Sequence, residues 1–283
     1  MTTDTTNATA SLDEALSRLS VPGTEVVAGG TDWYAALGDR VPPANVVDLS
    51  RIDGLDAIEQ DGDDWRIGAG VTWSALLAAE LPSAFDALKA AAREIGSVQI
   101  QNTATLAGNL CNASPAADGV PPLLALDARV ELVSHAARRE LPLGDFLLGP
   151  GSTVLGADEL LRAIRVPAHR TGTVARFAKL GTRRYLVISI AMIAVVLVPD
   201  RMGRIATARI AVGACSPVAR RLPALEAALR GRALDDPRLP DAFEPSQLDV
   251  LAPIDDVRAG GAYRREAVAE LIVRLLSPEP RRA

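Results

Sequence analysis

Two glycine-bearing segments constrain this chain more than anything else in it: Ala28-Gly29-Gly30-Thr31-Asp32, and the longer stretch from Thr105 through Gly108, Asn109, Cys111, Asn112 and Ser114-Pro115 to Asp118. The first follows the apolar pair Val26-Val27. Glycines there leave backbone N–H groups open to an anion with no Cβ in the way, and Thr31 adds a hydroxyl. The second sets the side-chain donors Thr105, Asn109 and Asn112 around Gly108 and ends in a Ser-Pro turn and an aspartate. Together they have the chemistry of two walls around a diphosphate, with polar groups left for a polyol and a ring, so a dinucleotide is the candidate ligand. Neither segment contains G-x-G-x-x-G or G-x-x-x-x-G-K-[ST], and the common nucleotide folds lose weight accordingly. A bare Gly-Gly turn would mark only an ordinary strand-to-helix connection.

At 283 residues and 48% hydrophobic content the chain has enough apolar material for two domains or one elaborate one. Its longest apolar run, Leu186 to Val198, is interrupted by Ser189 and is too short to span a bilayer, so it is predicted to be a buried strand. Residues 1–10 are Thr-rich without a basic start or an apolar core, so no secretion signal is expected and a cytoplasmic location is the default. The net charge of −5 provides no basic field for nucleic acid. Arg183-Arg184 and Arg220-Arg221 therefore read as solvated faces or subunit contacts. Two cysteines, Cys111 and Cys215, cannot supply the four thiolates of a conventional iron–sulfur cluster. His135 and His169, the only histidines, lie in loop-like sequence and read as solvated. No Ser/His/Asp order or metal-ligand spacing is present, so no catalytic residue and no metal site are expected in this chain, and a bound cofactor would carry the chemistry.

Local pattern divides the chain into elements. Ser11 to Glu14 has capping-box spacing ahead of Leu12, Ala15, Leu16 and Leu19, which predicts a first helix. Strands are predicted at Val26-Val27, at Val46–Leu49 and over the alternating residues Trp65, Ile67, Ala69, Val71 and Trp73. A helix face follows in Phe85, Leu88, Ala92 and Ile95, ending at Gly96. Then come a short helix at 121–126 and strands at 129–134 and 160–166. A change of character at 168–173 marks a domain boundary. Beyond it three strands, 175–180, 189–198 and 204–212, form an antiparallel sheet, with helices at 218–229 and 263–276 and loop with short helical pieces over 231–255. Asp32 either caps the next helix or touches ligand, Trp33 and Tyr34 read as packing residues, Cys111 as a small buried hydrophobe, and Lys179, taken alone, as a strand lysine on a solvent face.

The two glycine segments resemble the signature loops of the FAD-binding medium subunit of molybdenum hydroxylases, the xanthine dehydrogenase and carbon monoxide dehydrogenase flavoprotein family. Phe177-Ala178-Lys179-Leu180-Gly181-Thr182-Arg183 resembles the family's K-[LIV]-G-x-R motif, Leu160 to Pro167 its ring-contacting segment, and Tyr263-Arg264 its C-terminal YR helix. Ala104 and Ala107 stand where glycines are frequent, and Gln101 where arginine is. The resemblance implies an α+β fold, with a two-lobed PCMH-type FAD-binding domain over 1–170 and a smaller α+β domain over 174–280. It implies non-covalent FAD contacts by Val27, Ala28, Gly29, Gly30, Thr31, Asp32, Ile95, Ala104, Thr105, Gly108, Asn109, Cys111, Asn112, Ser114, Asp118, Leu161 and Lys179. Asp118 would meet the flavin's polar edge, and Lys179 would place a cation near the ring. Molybdopterin would sit in a large partner subunit and [2Fe-2S] clusters in a small one, with electrons leaving the flavin for an external acceptor. Two other readings stand beside it: a free-standing PCMH-type FAD oxidoreductase, and a non-catalytic assembly subunit whose flavin site has decayed, for which Ala107 is the support.

Overall fold

The computed structural model describes residues 11–277, so the Thr-rich start lies outside the described residues. The chain forms two compact units, each assembled from three stretches of sequence. Among the described residues, the first comprises those up to Ala79 with Ser97–Ala113 and Ala128–Pro167; the second comprises Glu80–Gly96, Ser114–Asp127 and those from Ala168 onward. Among the described residues no helix is long and apolar enough to cross a membrane.

In the first unit the helix Leu12–Leu19 begins where its capping spacing predicts, with the Ser11 hydroxyl accepting the Glu14 N–H at 3.2 Å and Ala15, Leu16 and Leu19 buried. Strand β1 (Glu25–Val27) pairs in parallel with β2 (Val46–Asp48). A five-stranded antiparallel sheet is formed by β3 (Ile58–Asp61), β4 (Asp64–Gly68), β5 (Arg129–Val133), β6 (Arg138–Pro142) and β9 (Leu160–Pro167) in the order β3-β4-β9-β5-β6. The two short strands between, β7 (Leu147–Gly149) and β8 (Ser152–Thr153), form a ribbon of their own. Ile67, Val130, Leu132, Ile164 and Val166 make one face of the large sheet and are completely buried. The opposite face is ionic. Glu131, with no exposed surface, accepts hydrogen bonds from Arg138 at 2.9 Å, Arg165 at 3.1 Å and Arg162 at 3.2 Å. A register slip between Glu131 and Leu132 makes Arg162 the extra residue of β9, which brings it into this group. The predicted strand over 65–73 is shorter than its alternation promised. β4 stops at Gly68 because the chain turns in against Leu55: a Cβ on Gly68 would lie 2.2 Å from the Leu55 carbonyl oxygen, and the Gly70 N–H donates to that oxygen at 2.7 Å. Trp73 instead opens the helix Trp73–Ala78, capped by the Thr72 hydroxyl.

The second unit is built on β10 (Val174–Leu180), β11 (Ala191–Pro199), β12 (Ile205–Gly213) and the two-residue edge β13 (Arg220–Arg221), all antiparallel. All nine residues of β11 are buried. Ala191, Ile193, Val195 and Leu197 pack with Leu225, Val268, Ile272 and their neighbours from the helices Pro223–Leu229 and Gly261–Leu276. The other face is covered by the helices Asp86–Glu94 and Val120–Ala125. Burial on both faces is why β11 is apolar without alternation. The apolar run nevertheless enters the sheet later than predicted, since Leu186 and Ile188 are more than half exposed and Leu186 has a left-handed φ of 53°. The helix predicted over 218–229 is also shorter. Residues 220–222 are spent on β12, with the Leu222 N–H donating to the Ile210 carbonyl at 2.9 Å, and Pro223 then starts the helix, where its missing N–H is no loss. The same pairing adds the fourth strand to the three predicted.

Candidate functional site

In the first unit the two glycine segments meet. A Cβ on Gly29 would fall 1.9 Å from the Thr103 carbonyl oxygen and 2.8 Å from the Ala104 Cα, so backbone rests on backbone at the foot of the second segment. Val27 closes β1 as its buried residue, Ala28 and Gly29 are half-buried, and Gly30 is buried with φ +70°. The carbonyls of Gly30 and Asp32 accept from Tyr34 and Ala36 at 2.9 and 2.8 Å, which begins the helix Trp33–Leu37. Among the described residues the N–H groups of Gly29, Gly30, Thr31 and Asp32 donate to nothing else in the chain. Successive free N–H groups around a left-handed glycine are the groups from which an anion-binding nest is built. Asp32 is exposed and makes no side-chain cap, which removes the capping alternative. Trp33 is half-buried and donates to Glu25 at 2.6 Å, while Tyr34 packs edge-on against Trp33 and lays its ring beside Gly30 but stays 64% exposed, a surface packing role and not a core one.

The second segment is tied down on both sides. The Trp73 N–H donates to the Ala104 carbonyl and the Leu106 N–H to the Val71 carbonyl, each at 3.2 Å. Thr105 is buried, and its hydroxyl caps the helix Leu106–Asn112 by accepting the Gly108 N–H at 2.9 Å. Gly108 fits this cap closely, as a Cβ there would stand 3.0 Å from the same hydroxyl. Asn109 is half-buried and Asn112 exposed. Cys111 is half-buried as a residue, and desolvation pushes its thiol up to about 12, which makes it inert as a nucleophile. The helix ends at Ala113, a non-glycine residue held at φ +47°. Leu161 lies buried in β9.

The second unit holds a charged cluster of its own. The Ser114 hydroxyl accepts the Ala116 N–H at 3.2 Å and shapes the turn that leads to Asp118. Asp118 is buried, and it accepts from the Lys179 ammonium at 2.6 Å and from the Ser189 hydroxyl at 2.7 Å. Burial pushes the Asp118 carboxyl above its usual range, with Lys179 and Ser189 pulling the other way. The Lys179 side chain is only 5% exposed, so the solvent-face reading of this lysine is corrected: β10 turns it inward onto a carboxylate. Ser189 was not singled out from sequence; its one signal was a polar residue breaking an apolar run. Ile95 ends the helix Asp86–Glu94 and is half-buried. His135 is exposed as expected, but His169 is half-buried with its Nε2 3.1 Å from the Leu126 carbonyl oxygen, and desolvation lowers its pKa. Among the described residues no cluster of His, Cys, Asp or Glu could hold a metal ion.

The sequence and fold have counterparts among known proteins. Residues 5–169 match the family described as FAD binding domain in molybdopterin dehydrogenase, and residues 176–278 match the CO dehydrogenase flavoprotein C-terminal domain. The chain is 33% identical over 275 residues to the nicotine 6-hydroxylase medium subunit of Paenarthrobacter nicotinovorans, covering 94% of each chain. It is 31% identical to the xanthine dehydrogenase FAD-binding subunit of Escherichia coli O157:H7, covering 95% of this chain and 93% of that one. Among solved structures, a chain of the carbon monoxide dehydrogenase of Hydrogenophaga pseudoflava superposes with a TM-score of 0.85 at 28% identity over 94% of this chain and 93% of its own. The protein belongs to the FAD-binding family of molybdopterin dehydrogenases and is an oxidoreductase flavoprotein subunit. The residues present suit that cofactor in their chemistry, because the N–H groups of Gly29 to Asp32 have no partner among the described residues and a diphosphate needs donors of this kind.

Proposed function

We propose that this chain is the FAD-binding electron-transfer subunit of a molybdenum hydroxylase complex. It stands between [2Fe-2S] clusters in a small partner subunit and an external electron acceptor, with the molybdopterin centre in a large partner subunit. The observation that carries the reading is the nest at 29–32 lying against the second glycine segment, in a chain of this family. Relatives named as medium chains of carbon monoxide dehydrogenase and as a subunit of a dehydrogenase complex support the multi-subunit setting. The two cysteines support it too, since clusters must then come from elsewhere. We place the FAD-binding domain at 1–170 and the C-terminal domain at 174–280, supported by family matches over 5–169 and 176–278.

FAD, when bound, supplies a ring that takes up two electrons and gives them up again. The chain's own contribution is binding and orientation. Val27 and Ala28 lead into the nest, and Gly29, Gly30, Thr31 and Asp32 offer its N–H groups to the diphosphate. Ala104, Thr105, Gly108, Asn109, Cys111 and Asn112 form the facing segment. Ile95, Ser114, Asp118, Leu161 and Lys179 complete the proposed contact set, Lys179 with a cation that Asp118 partly neutralises.

FAD titrated into the purified chain should bind at one per chain, and acid precipitation should release it to the supernatant. Colourless protein, or flavin retained in the pellet, contradicts the proposal.

A further inference from the structure

We propose that Ser189 and Arg264 are positioning residues for the Asp118–Lys179 pair: Ser189 holds the carboxylate directly, and Arg264 fixes the backbone that presents both. This rests on the flavin reading above.

Arg264 lies on the helix Gly261–Leu276 and is 2% exposed. Its Nη1 donates to the Ile190 carbonyl at 2.6 Å and the Ala214 carbonyl at 3.0 Å, and its Nη2 donates to Asp256 at 2.8 Å. Each carbonyl belongs to a route that ends at the pair. Ile190 directly follows Ser189, whose hydroxyl donates to Asp118, and the Ile190 N–H donates at 2.7 Å to the carbonyl of Leu180, the residue after Lys179. Ala214, held at the left-handed φ of 63°, donates its N–H at 2.9 Å to the carbonyl of Pro115 in the turn that leads to Asp118. Asp256 also accepts the N–H groups of Arg258 and Ala259, which hold its carboxyl at about 2, so it stays ionised opposite Arg264. All of these residues lie in the second unit. A guanidinium whose Nε finds no partner is a costly way to fill a core, and an apolar residue would stabilise the helix at least as well. What a guanidinium adds is a fixed planar set of donors, of which Nη1 here holds both carbonyls while Nη2 is held by Asp256.

The test uses the full chain loaded with FAD, comparing wild type with Ser189→Ala, Ser189→Thr, Arg264→Lys and the Ser189→Ala/Arg264→Lys double variant. FAD affinity, flavin midpoint potential and Tm are read for each. Loss of a hydrogen bond to a charged group should weaken FAD binding about tenfold in Ser189→Ala and shift the potential. Ser189→Thr, which keeps the hydroxyl, should restore both. Arg264→Lys should move the same two readouts, and the double variant should lose less than the product of the single losses, because both residues act through Asp118. Should Arg264→Lys fail to fold, Asp256→Asn, which frees one side of the guanidinium, takes its place. Unchanged affinity and potential in Ser189→Ala, or losses that multiply independently, would overturn the inference and leave a merely structural role. A wild-type chain that takes up no FAD sinks the function beneath it, and that result appears before any variant is compared.

Discussion

Gly29 and Gly30 are adjacent, yet they are glycine for different reasons. Gly29 has no room, since its Cβ would enter the Thr103 carbonyl, whereas Gly30 has a left-handed φ and its Cβ would crowd the ring of the exposed Tyr34 at 2.7 Å and touch Val27 at 3.6 Å. Gly30→Ala should therefore lose about 1–2 kcal/mol of stability, the usual penalty for a left-handed alanine. Gly29→Ala must push one backbone segment away from the other and should lose more. Urea unfolding of both variants checks the ranking, and equal losses would contradict it. At the buried pair, Asp118→Asn should destabilise the chain by about 3–5 kcal/mol because it strands the Lys179 ammonium, and adding Lys179→Met should recover some of that loss. A double variant no more stable than Asp118→Asn alone would argue that the pair is not the source. The sequence singled out the glycines, Asp118 and Lys179 because they sit in contiguous motifs, but it did not show that Lys179 turns inward onto Asp118. Ser189 and Glu131 were not singled out, because their partners arrive through strand pairing and turns far along the chain.

Among the elements, β11 is the one strand of its unit buried at every residue. Ile193→Ala, at a position with no exposed surface, should cost about 2–5 kcal/mol. Amide exchange in β11 should speed up with it, and a loss below about 1 kcal/mol would show that the site collapses around the cavity. The helix Gly261–Leu276 depends instead on an acid-sensitive anchor. The folded-state pKa of Asp256, about 2, lies below its ordinary value of 3.8, so its contribution is complete above 3.8 and is lost as pH falls through about 2. Asp256→Asn should lower Tm at neutral pH and flatten the Tm–pH curve over that window; parallel curves for variant and wild type would refute the anchor. Sequence periodicity placed the first helix, the C-terminal helix and β11, since each has a long apolar stripe or run. It overextended the strand at 65–73 and the helix at 218–229. There the deciding forces are backbone contacts, Gly68 and Gly70 on Leu55 and residues 220–222 on β12, which no side-chain period reports.

For the whole molecule, the family and the α+β architecture were legible because the two glycine segments carry a pattern longer than a turn requires. Which residues join each unit was not, because residues 80–96 and 114–127 leave their sequence neighbours to join the C-terminal sheet, a choice made by helix packing on β10, β11 and β12. Native purification should bring down a cluster-bearing and a molybdenum-bearing partner with this chain. A stable monomer with full substrate turnover would argue for a free-standing enzyme. The measurement that bears most directly on the electron-transfer role is anaerobic reduction of the FAD-loaded chain, alone and in its native complex, by an organic substrate that bleaches the flavin of that complex. The account predicts that the isolated chain is bleached by dithionite but stays oxidised with the substrate until the partner chains are added back. Direct bleaching of the isolated chain's flavin by the substrate would contradict it.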